Sequence, residues 1–253
     1  IPLDILNYII GIIKKTLLFF LKSFNKKKIN NKNETLNKWS FEELSKKKVA
    51  FIPHKGIIYG SKVSKLFEKS LYYSDDVNSC LNKYNILHLD YSNFTSPEKD
   101  ICWVSLNQIK CPKLKIFLKT LRGCLKTFYL VRNWSTFLGW ILNTHCYSKY
   151  LKYCEIIKNF KNLKICIIDY DHLCPKTLIL ALEKNNIKTV ATQERFITTF
   201  YTSYVNVTLD TYYAASEHTA SVIKNSKYYN IKNIIPVGQY RSDYIALYKK
   251  KKC

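Results

Sequence analysis

The chain contains no methionine, and Arg122, Arg132, Arg195 and Arg241 are the four arginines among its 41 basic residues. Starting at Ile1 without a methionine anywhere, it reads as part of a longer reading frame. The scarcity of arginine removes the usual tool of base-edge recognition, the planar guanidinium fork. Nor do aromatic residues interleave with cations as a single-strand groove requires. The net charge of +23 is therefore carried mostly by lysine, in a chain also rich in asparagine and isoleucine, the residue usage of an A+T-rich coding sequence. Nucleic acid is set aside as a partner. The nine cysteines, among them Cys80, Cys102, Cys166 and Cys253, form no C-x-x-C pair and no Cys/His cluster. No metal site and no cofactor is implied, and reduced thiols in a cytosolic setting are expected. Walker, G-x-G-x-x-G and G-x-S-x-G sequences are absent too, which removes the main sequence support for nucleotide hydrolysis, dinucleotide oxidoreduction and the α/β-hydrolase nucleophile elbow.

What is present is a globular composition, 47% apolar and 15% aromatic over 253 residues. Residues 1–24 are strongly apolar, yet Lys14 and Lys15 interrupt them before any run of 18 apolar residues is reached. Wound as a helix, Asp4, Asn7, Gly11, Lys14, Lys15 and Lys22 share a narrow stripe with Leu18, and Ile5, Ile9, Ile13, Leu17 and Phe20 occupy the rest. Such an amphipathic helix suits a bilayer interface, and packing against the protein itself is the alternative. No small-residue cleavage site follows it, which argues against a removed signal peptide. Residues 25–47 read as a basic polar linker closing on a short helix at "SFEELSKKK".

From residue 48 the pattern becomes that of alternating strands and helices. Apolar runs closing on polar residues predict strands at 48–56, 84–93, the stretch "NLKICIIDYD", "IKTVATQERF", "TYYAASE" and "NIIPVGQYRSD". Helices are expected at 61–73, at "CPKTLILALEKNN" with Pro175 in its first turn, and after Ser216. Residues 100–160 read as mostly helical, with Gly123 and Gly139 as breaks and Trp134 and Trp140 as packing residues. The fold class is α/β: a Rossmann-like parallel sheet flanked by helices, preceded by the N-terminal amphipathic helix. Domain boundaries fall at 1–24, 25–47, a main domain 48–245, and a tail 246–253.

Ligands of parallel open sheets bind outside the carboxyl ends of the strands, so the polar residues at those ends are the candidates. They are His54, Lys55 and Gly56; Asp90; Asp169, Tyr170 and Asp171; Gln193, Glu194 and Arg195; Ser216 and Glu217; and Gln239, Arg241 and Asp243. Each alone has a structural explanation: Asp171 and Ser216 suit helix caps, and Arg241 can pair with Asp243. Together they suggest chemistry. Asp169 and Glu194, with His54 as a further candidate, can take a proton from an acceptor hydroxyl. Lys55, Arg195 and Arg241 can hold phosphate or sugar oxygens.

The run "IDYDHLCPKTLILALEKNNIKTVATQERF", with "DTYYAASEHTASVIKNS" and "IIPVGQYRSD", resembles the first domain of two-domain (GT-B) glycosyltransferases that assemble surface polysaccharides, and of the related CDP-glycerol glycerophosphotransferases. The matching positions are Gln193, Ser216, Glu217, Gly238, Arg241 and Asp243, and the likeness covers residues 160–245, more weakly 48–95. Glu194 and Arg195 stand where that family often has His and Gly, so a catalytic histidine does not transfer to this site. The resemblance implies the acceptor-side half of a transferase, with a nucleotide-activated sugar or glycerol as donor, a site largely missing here. It further implies a sugar or lipid-linked acceptor and a cytoplasmic, peripheral position on the inner face of the plasma membrane. A non-catalytic α/β ligand-binding module remains open beside it.

Overall fold

A computed structural model describes residues 41–52, 86–91, 102–107, 109–168, 174–193, 207–226 and 229–238. The expected amphipathic helix at 1–24, the helix at 61–73 and the tail 246–253 lie outside the described residues. Among those described, residues 110–156 form one compact unit and the remainder another.

The larger unit is a seven-stranded sheet in the order β3-β2-β1-β4-β5-β6-β7, with every neighbouring pair parallel. After a short helix α1 (Phe41–Lys46) come β1 (Val49–Ile52), β2 (Leu87–Asp90) and β3 (Trp103–Ser105). Then follow β4 (Ile165–Ile168), β5 (Lys188–Thr192), β6 (Val207–Ala214) and β7 (Tyr229–Pro236). From β1 the chain steps outward through β2 to β3, returns to the other side of β1 as β4, and steps outward again to β7. That reversal is the arrangement of Rossmann-like α/β proteins, as the alternation predicted. Central strands of such sheets are covered on both faces, which explains why Leu87, His88, Leu89 and Asp90 are all buried although their sequence alternates.

Two crossover helices of this sheet are described. Between β4 and β5 runs a helix at Lys176–Lys184; Pro175 occupies its N-cap, one position before the first turn. Leu178, Ile179, Ala181 and Leu182 are its buried face, and burying each of the three large side chains stabilises by about 1.5–3 kcal/mol. Its end is set by "NNI": Asn186 takes a positive φ of 58°, Ile187 N–H donates to the Leu182 carbonyl at 3.0 Å, and Asn186 N–H to Glu183 at 2.9 Å. This paired closure satisfies carbonyls that a helix end otherwise leaves orphaned. Between β6 and β7 a second helix spans Glu217–Asn225 and buries Ile223. At Gly238 the chain adopts a φ of 84°, a conformation where a side chain would be strained.

At the amino-terminal end of the β5–β6 pairing, side chains take over the ladder. Asp210 Oδ2 accepts from Thr189 N–H at 2.9 Å and from Thr189 Oγ1 at 3.2 Å, while Asp210 N–H donates to Thr189 Oγ1 at 3.1 Å. Lys232 of β7 donates to Asp210 Oδ1 at 2.6 Å, so one carboxylate ties three strands. Partial burial pushes the Asp210 carboxyl up, but the bonds from Lys232 and Thr189 outweigh it and hold the group below the ordinary range.

The second unit is a helical pair. Numbered in chain order, α2 is Lys113–Thr127 and α3 is Trp134–Ile157, joined through a 3-10 turn at Phe128–Leu130; the two crossover helices are then α4 and α5. Glu155 near the end of α3 accepts from Lys115 and Lys119 of α2 at 3.2 and 3.1 Å. At the other end Trp140 Nε1 donates to Thr127 Oγ1 at 3.1 Å, and its ring meets Phe128 edge-on at 5.5 Å. The start of α3 is capped reciprocally: Asn133 Oδ1 accepts from Thr136 N–H at 2.9 Å, and Thr136 Oγ1 accepts from Asn133 N–H at 3.0 Å. Gly123 and Gly139, expected as breaks, both lie inside helices. The reason at Gly123 is packing: a Cβ there would stand 2.6 Å from the Tyr147 ring, so its absence lets the two helices approach. Trp140 packs as expected, whereas Trp134 is 63% exposed.

Candidate functional site

Parallel pairing throughout puts the carboxyl ends of all seven strands at one edge of the sheet. At that edge the reversal of winding falls between β1 and β4, the position at which open parallel sheets generally receive ligands. Ile52 and Ile168, the last residues of the two strands, are register partners, so the chain leaves both at the same level. In sequence, His54, Lys55 and Gly56 follow β1, and Asp169, Tyr170 and Asp171 follow β4. These six lie outside the described residues, as do Glu194, Arg195, Gln239, Arg241 and Asp243.

Four candidates are described. Gln193, the residue after β5, is buried; its N–H donates to the Tyr213 carbonyl at 2.8 Å, and its Oε1 accepts from Ala215 N–H at 2.7 Å. That second bond fixes the turn between β6 and α5. Ser216, next in the chain, is the N-cap of α5, its Oγ accepting from Thr219 N–H at 3.1 Å. Glu217 is exposed in the first turn, where the helix dipole favours a carboxylate. Gln193, Ser216 and Glu217 thus form one cluster, held at the carboxyl ends of β5 and β6 by the Gln193 amide.

Asp90 closes β2 on the other side of the reversal. Three strand steps separate β2 from β5, a span of roughly 14 Å. Asp90 is 2% exposed, and its carbonyl accepts from Leu106 N–H at 2.7 Å. Its register partner is Ser105, whose Oγ is buried without a hydrogen bond among the described residues. One turn further, Asn107 Nδ2 donates to the Tyr91 carbonyl at 2.8 Å. Neighbouring His88 is fully buried between the Phe51 and Trp103 rings, 5.7 and 6.0 Å away. The sequence reading passed over Ser105 and Asn107, because β3 is three residues long inside a stretch read as helical. "CWVSLN", an apolar run closing on polar residues, carried the signal.

The described cysteines of the sheet unit are buried thiols. Burial pushes the Cys102 thiol up to about 11 and raises Cys166 and Cys174 further, so all three are protonated near neutrality. No disulfide joins the seven described cysteines, of which Cys111, Cys124, Cys146 and Cys154 are the other four. No protein-family model, no curated protein and no solved structure matches the chain. What the fold defines is a class: an α/β protein built on a Rossmann-like parallel sheet, with polar groups gathered at its carboxyl edge.

Proposed function

We propose that this chain is the acceptor-side domain of a GT-B-type glycosyltransferase of cell-surface polysaccharide synthesis. In this reading the sheet edge between β1 and β4 receives the acceptor, and Asp169, Glu194 or His54 takes the proton from its attacking hydroxyl. Lys55, Arg195 and Arg241 neutralise phosphate on the acceptor or the departing donor, and Gln193 with Ser216 shapes the far wall. A second domain holds the nucleotide-activated donor. Supporting this is one observation above the others: the strands that lead to residues 54–56, 169–171 and 194–195 all end at one sheet edge, flanking the reversal of winding. A glycerophosphotransferase using CDP-glycerol fits the same edge, since its acceptor also presents a hydroxyl.

Titration calorimetry separates the readings. With the acceptor half alone, glycerol 3-phosphate and short hexose oligomers bind weakly, Lys55→Gln and Asp169→Asn weaken them further, and UDP-glucose or CDP-glycerol binds no better than its sugar or glycerol phosphate portion. Micromolar binding of either nucleotide would instead mark a self-contained nucleotide-binding module. Binding of the acceptor probes that ignores both substitutions would place the ligand elsewhere.

A further inference from the structure

The helical pair α2–α3 carries a surface that the catalytic reading does not use. Along α2, Leu114, Leu118, Leu121 and Leu125 recur at intervals of four, three and four, which places them on one stripe of the helix. All four are exposed, from 43% to 69%. This is not the face that packs, which is formed by Ile116, Thr120 and Cys124. Past the end of the helix in sequence, Tyr129 and Trp134 are 76% and 63% exposed. Soluble surfaces scatter such residues singly; a row of leucines followed in sequence by two large aromatics marks a surface that is covered in use.

Charge identifies what covers it. Between residues 101 and 154 there are nine lysines and arginines and no aspartate or glutamate. Arg122 and Lys126 are exposed on the flank of the leucine stripe, and Arg132 lies between the two aromatics in sequence. Another copy of this surface would be repelled. So would residues 1–24, whose charges are Lys14, Lys15 and Lys22 against Asp4 alone. An apolar stripe flanked by cations, with a tyrosine and a tryptophan following it in sequence, has the chemistry of a bilayer interface rich in anionic lipid. No described helix is long and apolar enough to cross a membrane, so the contact is one of lying on the surface. The two helices are joined at both ends: Glu155 bridges Lys115 and Lys119 at one, and Trp140 donates to Thr127 at the other.

We propose that the leucine stripe of α2, with Tyr129 and Trp134, is a membrane-docking surface for an anionic leaflet, separate from residues 1–24. It bears on the peripheral position that the family resemblance implies and stands or falls without the transferase chemistry. The test is co-flotation of the full chain with phosphatidylcholine vesicles, with and without phosphatidylglycerol. Binding requires phosphatidylglycerol; Leu118→Gln with Leu125→Gln lowers the partition coefficient at least about tenfold. Replacing Arg122 and Lys126 by Gln lowers it by about fivefold per charge. The leucines are exposed, so circular dichroism of the variants stays unchanged. As an independent readout, Trp134 emission shifts to the blue on adding anionic vesicles, and the shift disappears in Trp134→Phe. Unaltered flotation of the double Leu variant overturns the proposal, as does loss of binding only on replacing Ile5, Ile9 and Ile13 by Gln. Loss through the charge variants with none through the leucines also overturns it, reducing the contact to non-specific attraction.

Discussion

Replacing Gln193 separates packing from hydrogen bonding at a predicted site residue whose side chain is both buried and described. Its Oε1 receives the Ala215 N–H at 2.7 Å, and its aliphatic portion is enclosed. Gln193→Met keeps the length and removes the acceptor, leaving that N–H unsatisfied at a cost of about 1–2 kcal/mol. Gln193→Ala adds the loss of buried methylene, about 0.8 kcal/mol more. Gln193→Glu keeps an acceptor at the same reach. The assay is amide hydrogen exchange at Ala215, read residue by residue. A loss of about 2 kcal/mol speeds exchange there by roughly 30-fold in the Met and Ala variants, and the Glu variant retains protection. Ser216→Ala is the control: it frees Thr219 N–H, bonded at 3.1 Å, and leaves Ala215 protected. Wild-type protection of Ala215 in Gln193→Met would refute the argument, because the turn would then be held by something other than this bond.

Two further outcomes follow from the charged and sulfur groups. Asp210→Ala destabilises the sheet by about 1–2 kcal/mol at neutral pH in urea unfolding, chiefly by orphaning the buried Thr189 N–H. Lys232→Ala falls well short of this, because Lys232 lies in solvent. Since folding holds the Asp210 carboxyl below its unfolded value of about 3.9, its contribution is complete above that pH and is lost as pH falls through the lower folded value. The gap between wild type and Asp210→Ala therefore narrows in acid; a gap that does not change with pH would contradict the assignment. For thiols, exposed Cys146 reacts with a disulfide reagent in the native protein, whereas Cys102, Cys166 and Cys174 react on the timescale of unfolding. Fast native labelling of Cys166 would show that the sheet interior opens.

Six of the seven strands were legible because each is an apolar run that closes on polar residues, and the run length of 4–8 fits strands better than helices. β3 was not, since three residues carry too little pattern to stand against the helical periodicity that follows. The glycines misled for a related reason: sequence shows that Gly123 weakens a helix, but not that Tyr147, twenty-four positions on, needs the space. Asp210 falls just before the strand expected at "TYYAASE", and its role as a three-strand tie depends on Thr189 and Lys232 being its neighbours, which register alone decides. At the candidate site Gln193 and Ser216 follow β5 and β6 as their sequence pattern suggests, whereas the bond from Ala215 N–H to Gln193 is visible in the structure alone.

The central claim is that a ligand is received at the carboxyl edge of the sheet, beside the reversal between β1 and β4. Amide chemical-shift mapping with glycerol 3-phosphate tests it most directly. The expected result is perturbation of Ile52, Ile168, Gln193 and Ala215 and quiet amides at Val49, Ile165, Lys188 and Val207, the opposite strand ends. Shifts concentrated at those opposite ends, or spread along α2 and α3, would contradict it.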